Sequence, residues 1–397
     1  MPPAPRMSRI PFSSRNVRFL LLYRATTRAI LFAPYIQFFM QVSRGMSAAQ
    51  YGLLQGIYYF VVVLAEMPSG VFADRFGRKS ALVVGAVFGA AATVVFTQSY
   101  TFLSFAVGEV LFALATAIIS GADSALLYDS LAADRRESEY PRAEGASQAL
   151  PLLVTAVCLP LADRFLVVDG DPVLVYWVTG GLIAFSGLCA LRLVEPPGRR
   201  QTTREITVGA WRDVIQIPGI ARLIVYSIGV FALLRASIVN FFHPALAEAG
   251  VPVHFYGTVL AVVNVVGAVA AWRAHGWLKR FGERAAMVAM PLTILYMVWL
   301  LTQLKLPAAA LLFCIQGAVF GAYPVLVRSI LNRLVPRAER RATVLSIESF
   351  ACRIAFAPLT ILAGWSLGAL GLDAALAVVA LAACIPFVIL PLLRRGK

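Results

Sequence analysis

Twelve long apolar runs constrain this chain more than any other feature of its sequence. A helix needs about 20 apolar residues to cross the hydrocarbon core of a bilayer, and the runs are of about that length. The predicted spans 1 to 6 lie near 18–40, 49–68, 80–97, 101–127, 145–168 and 173–193. Spans 7 to 12 lie near 221–243, 253–273, 285–303, 306–328, 344–367 and 373–393. The connecting segments are too short for a soluble domain, so the sequence predicts an all-α integral membrane protein.

Charged residues are few and unevenly placed. Only 14% of the 397 residues are charged, against about 25% in soluble domains. The net charge of +15 would fit a nucleic-acid-binding protein, but most basic residues lie at the termini and in alternate loops. The exceptions are Arg24, Arg28, Arg44, Arg164, Arg235, Lys305 and Arg353. This bias follows the positive-inside rule, so we expect both termini in the cytoplasm and no nucleic-acid partner.

The loop between spans 2 and 3 is short, basic and punctuated by glycine. Residues 70–79 read GVFADRFGRK. Gly77 allows the positive φ of a tight turn, and Gly70 would let the end of span 2 pack closely. Arg75, Arg78 and Lys79 would hold the turn on the cytoplasmic side.

This loop, with its pattern G-x-x-x-D-R-x-G-R-K between two spans, resembles the signature loop of the major facilitator superfamily. The whole chain resembles that family. The resemblance implies two six-helix bundles, which we predict at 1–194 and 221–397 with a cytoplasmic linker at 195–220. A weak internal repeat agrees with this architecture, because residues 278–284 (LKRFGER) echo residues 73–79 (ADRFGRK).

The resemblance also implies a conformational gate. Its residues would be Gly70, Asp74, Arg75, Gly77, Arg78 and Asp129. Asp74 would lie against the N-terminal end of span 11, where the helix dipole favours a negative charge. Arg78 would pair with Asp129 at the end of span 4. Both contacts would tie the two halves together in the state open to the outside.

Polar and ionisable residues inside the spans are candidates for the transport site, because a charge in the membrane is costly. The candidates for binding substrate or protons are Arg24, Arg28, Glu109, Asp123, Arg235, Gln316 and Tyr323. They fall on spans 1, 4, 7 and 10, the spans that line the central cavity in the superfamily. Weaker candidates are Asn264, Glu348 and Arg353, while Asp163 and Arg164 are expected to reach the membrane interface. Glu348 and Arg353 lie five residues apart on different faces, so they need not pair with each other.

Two of these spans give more detailed expectations. Arg24 and Arg28 are four residues apart and share a helix face. Arg28 should lie near mid-membrane against a wet cavity or a carboxylate, whereas Arg24 could snorkel to the interface. In span 4, Glu109 and Asp123 lie on one narrow polar stripe. We expect Arg28 to face Glu109, whose neutral form is favoured by burial and whose charged form by a nearby arginine.

Three further segments resemble a bacterial branch of the superfamily in which many members are presumed drug exporters. They are residues 66–70 (EMPSG), 120–129 (SGADSALLYD) and 341–346 (RATVLS). Two features depart from the antiporters of that branch. Residues 150–168 lack the glycine run of their span 5, and Glu109 stands where their span 4 carries an arginine.

The sequence therefore predicts a twelve-helix secondary transporter of the bacterial inner membrane that works by alternating access. Proton-coupled efflux of a small organic molecule is the first expectation. Proton-coupled uptake, or export of a specific anionic metabolite, stays open as an alternative. We expect a monomer in the lipid bilayer with protons as the coupling ion. We expect no enzymatic activity, catalytic residues or cofactor, because the sequence has no Walker loop, no H-E-x-x-H and no C-x-x-C motif. We expect no metal site, since the five cysteines lie scattered in apolar spans.

Overall fold

The computed structural model describes residues 15–195, 212–336 and 340–392. These residues contain eleven helices that are long and apolar enough to cross a membrane. Both chain termini and most of the predicted linker at 195–220 lie outside the described residues. The division into domains at that linker therefore stays a prediction.

The helices agree closely with the predicted spans. In the first half, span 2 is Ala48–Phe76, span 3 is Arg78–Gln98, span 5 is Tyr140–Phe165 and span 6 is Val173–Leu191. In the second half, spans 7 to 12 are Pro218–Val239, Tyr256–Phe281, Glu283–Gln303, Phe313–Leu334, Arg341–Leu370 and Leu372–Ile389. Serine and threonine begin two of them, because Ser47 and Thr101 accept hydrogen bonds from backbone N–H groups of the first turns of spans 2 and 4.

Spans 1 and 4 are broken, although we predicted them as continuous. Span 1 consists of the helix Arg15–Thr27, an irregular turn, the short helix Ile36–Phe38 and one π-helical turn, Phe39–Ser43. Span 4 consists of Phe102–Ile119 and Ala122–Ala133, separated at Gly121, whose φ of 81° is left-handed. The helices Arg15–Thr27 and Ala122–Ala133 share a small hydrophobic core of Val17, Leu20, Leu126, Leu127 and Leu131. Hydropathy averaged over a span did not reveal either break, because the few polar residues at the breaks are flanked by long apolar runs on both sides.

The two halves approach each other most closely on one side of the bundle. We call the side that carries the 70–79 loop the signature-loop side, and the opposite side the far side. On the far side, spans 2 and 11 touch through their backbones. A Cβ atom on Gly52 would lie 2.6 Å from the carbonyl oxygen of Thr360, and one on Gly364 would lie 2.4 Å from that of Ala48. Towards the signature-loop side, spans 2 and 11 contact each other through long side chains: Arg353 and Glu66 form an ion pair at 2.9 Å.

Spans 8 and 10 are in backbone contact at glycine residues. A Cβ atom on Gly321 would lie 1.9 Å from the carbonyl oxygen of Gly267. We expect Gly321→Val to lower the melting temperature strongly in detergent, because overpacking costs about 1–3 kcal/mol or more. Gly276→Val is the matched control, since nothing lies within 4 Å of a Cβ atom there. Equal melting temperatures for the two variants would contradict this account.

Candidate functional site

A cluster of two arginines and two carboxylates lies where spans 1 and 4 are broken. We call Arg24, Arg28, Asp123 and Glu144 the ionic cluster. Arg24 Nε lies 3.0 Å from Asp123 Oδ2, and Arg24 Nη1 lies 2.8 Å from Glu144 Oε2. Arg28 Nη2 lies 2.5 Å from the same Asp123 oxygen. Span 5, which carries Glu144, thereby joins the two broken spans.

Burial within the ionic cluster reverses one expectation. Arg24 and Asp123 are each only 1% exposed, whereas Arg28 is 34% exposed. Arg24 therefore does not snorkel, and it also donates hydrogen bonds to the hydroxyls of Ser124 and Ser147. The prediction that Arg28 meets a carboxylate is confirmed. Two positive and two negative charges balance here, which is what allows such groups to be buried.

Glu109 lies apart from the ionic cluster, so the expected pairing of Glu109 with Arg28 is wrong. Gln55 Nε2 donates a 2.9 Å hydrogen bond to Glu109 Oε1, and Glu109 is 2% exposed. No cation forms an ion pair with Glu109 in the described part of the chain. The single polar stripe was also wrong, because the turn at Gly121 redirects Asp123 towards span 1.

Arg235 of span 7 meets a neutral partner across the two halves. Its Nε and Nη2 atoms donate hydrogen bonds of 3.0 and 2.5 Å to the hydroxyl oxygen of Tyr59 in span 2. Tyr59 is one helical turn from Gln55, about 6 Å along the axis. Span 2 therefore carries the partners of Glu109 and Arg235 one helical turn apart on one face. Neither Gln55 nor Tyr59 was a predicted transport-site residue, because the predicted residues all fell on spans 1, 4, 7 and 10 and these two lie on span 2.

The second half contributes a further polar group. Tyr323 donates a 3.0 Å hydrogen bond to Glu348. Gln316 is buried, and its amide nitrogen lies 3.5 Å from the carbonyl oxygen of Leu234. Arg353 pairs with Glu66 of the first half and not with Glu348, as the spacing predicted. Asn264 is partly buried and takes part in none of these contacts.

More than half of the chain matches one known protein family. Residues 19–234, more than half of the sequence, match the family model described as Major Facilitator Superfamily.

The chain belongs to the major facilitator superfamily.

Curated relatives agree with this membership. An uncharacterized transporter of Buchnera aphidicola is 23% identical over 191 residues, which cover 48% of this chain and 46% of the relative. An uncharacterized MFS-type transporter of Mycobacterium tuberculosis is 26% identical over 165 residues, which cover 41% of this chain and 38% of the relative. The matched part thus spans less than half the length of these relatives.

Solved structures of the superfamily match nearly the whole chain. The nucleoside transporter NupG superposes with a TM-score of 0.74 at 15% identity, covering 95% of this chain and 98% of that one. A bacterial homolog of the lysosomal transporter Spinster, solved inward-facing and unoccupied, gives 0.74 at 15% identity, covering 97% and 96%. The D-xylose-proton symporter gives 0.72 at 11% identity, covering 96% of each chain. These likenesses confirm the twelve-helix fold predicted from the sequence.

The signature loop makes one of its two expected contacts. Gly77 has a φ of 91°, as the turn requires, and Arg78 pairs with Asp129 as predicted. However, both partners belong to the first half, so this pair does not join the halves. Glu195 at the end of span 6 was not predicted. It accepts hydrogen bonds of 2.8 and 2.7 Å from the backbone N–H groups of Arg78 and Lys79.

The other loop residues are open to their surroundings. Asp74 is exposed and forms no hydrogen bond or ion pair within the described residues, the start of span 11 included. A Cβ atom on Gly70 would meet nothing within 4 Å, so the expected close packing at Gly70 is wrong. Arg75 is exposed, with its guanidinium 5.4 Å from the ring centre of Phe76.

The loop between spans 8 and 9 repeats this arrangement with the charges exchanged. Glu283 at the start of span 9 pairs with Arg333 at the end of span 10. In the sequence repeat, Glu283 occupies the place of Arg78. Gly282 repeats the positive φ of Gly77, at 82°. The repeat therefore preserves the turn and the ion pair while reversing its polarity.

Asp163 forms a cross-half contact that sequence reasoning missed. It accepts hydrogen bonds of 3.0 and 2.5 Å from the backbone N–H groups of Gly257 and Thr258, in the first turn of span 8. The hydroxyls of Thr258 and Tyr35 add bonds of 2.6 and 2.5 Å. Asp163 is 6% exposed, so the expectation that it reaches the interface is wrong. Arg164 is exposed. We call Asp163, Tyr35, Gly257 and Thr258 the far-side latch.

Proposed function

We propose that this protein is a secondary active transporter that works by alternating access and exports a small organic molecule in exchange for protons. The observation that carries the proposal is Glu109, a buried carboxylate whose partner Gln55 is neutral and lies one helical turn from Tyr59, the partner of Arg235. A buried carboxylate without a cation favours its neutral form. Glu109 is therefore suited to take up a proton in one conformation and release it in another.

The arrangement of the halves supports the alternating-access part of the proposal. The far side is closed by the latch and by the glycine contact of spans 2 and 11. On the signature-loop side, Asp74 is exposed and away from the second half. By the positive-inside rule we assign the signature-loop side to the cytoplasm. In this assignment the transporter stands closed to the outside, and both termini are cytoplasmic.

The second candidate function is export of a specific anionic metabolite. Arg235 favours it, because its partner Tyr59 is neutral and no carboxylate pairs with it among the described residues. Uptake in symport with protons would use the same groups with the opposite net direction. Proteoliposomes with a pH gradient of either sign separate import from export.

The coupling role of Glu109 predicts that conformation depends on pH. Protonation should favour the conformation in which Glu109 is buried, so alkaline pH should open the far side. Spin labels on Tyr100→Cys and Leu306→Cys lie in far-side loops of the two halves. Electron paramagnetic resonance would measure the distance between the two labels. We expect the distance to grow from about pH 5 to pH 9. In Glu109→Gln it should stay independent of pH, and proton flux into proteoliposomes should be lost.

The control for this experiment is Glu139→Gln, which changes a surface carboxylate paired with Arg136. It should retain the wild-type pH response. The other ionisable groups near Glu109 are Tyr51, Tyr58 and Tyr176, and Arg235 lies near the first two of these. Phenols and guanidinium groups ordinarily keep their charge over this pH range. A wild-type pH response in Glu109→Gln would reject the coupling role and make Glu66, Asp123 or Glu348 the next carboxylate to test.

A further inference from the structure

Arg235 forms no ion pair with a carboxylate among the described residues, whereas both arginines of the ionic cluster do. Arg24 and Arg28 are neutralised by Asp123 and Glu144, and Arg353 by Glu66. Arg235 is partly buried, and its only hydrogen-bond and ring partner in the described part of the chain is Tyr59, with the guanidinium carbon 5.7 Å from the ring centre. A buried cation without an anion is costly unless a ligand supplies the charge.

Aromatic rings from four spans form a continuous set of ring contacts that begins at Tyr59, beside this guanidinium. Tyr58 and Tyr59 of span 2 lie edge to face at 5.1 Å, and Tyr59 meets Phe356 of span 11 at 4.8 Å. Phe356 in turn meets Phe231 at 5.9 Å. Phe231 lies one helical turn before Arg235 on span 7, so its ring and the guanidinium share a face. Phe112 of span 4 packs against Tyr58 at 6.1 Å. Of these rings, Tyr58, Phe112 and Phe231 are only partly buried.

We propose that Arg235 and these rings bind an aromatic organic anion that carries one negative charge. This inference rests on the proposed transport function and specifies its substrate class. The guanidinium would bind the anionic group through its planar donors. The ring of the substrate would pack against Tyr58, Phe112 and Phe231, where aromatic pairs contribute beyond their buried area. One negative charge on the substrate matches the one guanidinium of Arg235, and an aromatic cation would be repelled by it.

A matched set of naphthalene compounds tests the proposal on the purified full-length protein. The probes are 2-naphthalenesulfonate, neutral 2-naphthylmethanol, cationic (2-naphthyl)trimethylammonium and the ring-free anion methanesulfonate. The charge of the sulfonate does not change with pH, so binding is separated from protonation. We expect calorimetry to detect 2-naphthalenesulfonate and to find the other three much weaker. Equal or tighter binding of the neutral or cationic naphthalene by the wild type would overturn the proposal.

Variants connect this selectivity to the named residues. Arg235→Gln should weaken 2-naphthalenesulfonate about 10- to 100-fold, because a hydrogen-bonded charge is lost, and Arg235→Lys should weaken it less. Arg273→Gln changes an exposed arginine of span 8 and should leave the affinity unchanged. If Arg235→Gln fails to fold, Phe231→Leu gives a second test and should weaken the sulfonate relative to methanesulfonate. Unchanged affinity in a folded Arg235→Gln protein would overturn the proposal.

The binding assay is independent of the coupling assay. It uses no pH gradient, whereas the coupling test measures a pH-dependent distance without any ligand. Wild-type protein that responds to pH through Glu109 but prefers a neutral or cationic naphthalene would refute the substrate class alone. Selective sulfonate binding without a pH response would refute proton coupling alone.

Discussion

Asp123→Ala is expected to destabilise the protein by about 3–5 kcal/mol, because it breaks a buried ion pair and leaves a buried cation short of its partner. Arg24 and Asp123 are each 1% exposed, so water does not replace the lost carboxylate. Arg28 would lose its counter-charge as well, since it contacts the same carboxylate oxygen. The melting temperature in detergent and the yield of monodisperse protein measure the effect.

Two comparisons show whether stability or transport is affected. Asp373→Ala removes a carboxylate that is 57% exposed and pairs with Lys305 on the surface, so it should change stability by less than about 1 kcal/mol. The double variant Arg24→Met with Asp123→Leu removes both buried charges and should recover much of the stability. Transport by that stable double variant would show that the pair is structural. An Asp123→Ala protein as stable as Asp373→Ala would contradict the importance of the ionic cluster.

Asp163→Ala is expected to shift the resting conformation towards an open far side. The carboxylate accepts four hydrogen bonds, three of them from Gly257 and Thr258 at the start of span 8. A negative charge at a helix N-terminus is favoured by the helix dipole. Hydrogen bonds to a charged group contribute about 1.5–3 kcal/mol, which corresponds to a population shift of roughly 10- to 150-fold. The far-side distance between labels at Tyr100 and Leu306 measures it.

A second variant controls for the direction of this change. Asp74→Asn removes the carboxylate that the family resemblance assigns to the opposite gate. It should not open the far side, and any shift should favour the far-side-closed conformation. Asp163→Asn, which keeps an acceptor oxygen, should give a smaller opening than Asp163→Ala. A far-side distribution in Asp163→Ala equal to that of the wild type would show that the latch does not hold the closed state.

The sequence pattern showed which charged groups in the spans need a partner, but it did not identify the right partner. Twelve spans and a carboxylate beside Arg28 follow from the cost of charge and backbone in lipid. The choice of Asp123 over Glu109 depends on one left-handed residue, Gly121, which redirects the end of span 4. The spacing of residues along an assumed straight helix contains no sign of that turn.

The sequence did not predict contacts that involve uncharged side chains or the backbone N–H groups at a helix N-terminus. Asp163 and Thr258 are far apart in the chain, and the donors are mostly backbone N–H groups. Gln55 and Tyr59 organise Glu109 and Arg235 without carrying a charge. Their spacing of four residues on one helix could have indicated a shared polar face. Only the packing of spans 4 and 7 against span 2 shows that this face contacts Glu109 and Arg235.

The reversed polarity of the two loop-side ion pairs discourages misassembly between the halves. The repeat gives spans 9 and 10 the positions in the second half that spans 3 and 4 have in the first half. If span 3 packed against span 10 during membrane insertion, Arg78 would meet Arg333, and Glu283 would be left to meet Asp129. Like charges repel in both wrong pairings, whereas both correct pairings attract. The exchanged charges thus distinguish each half from its own duplicate while the bundle assembles.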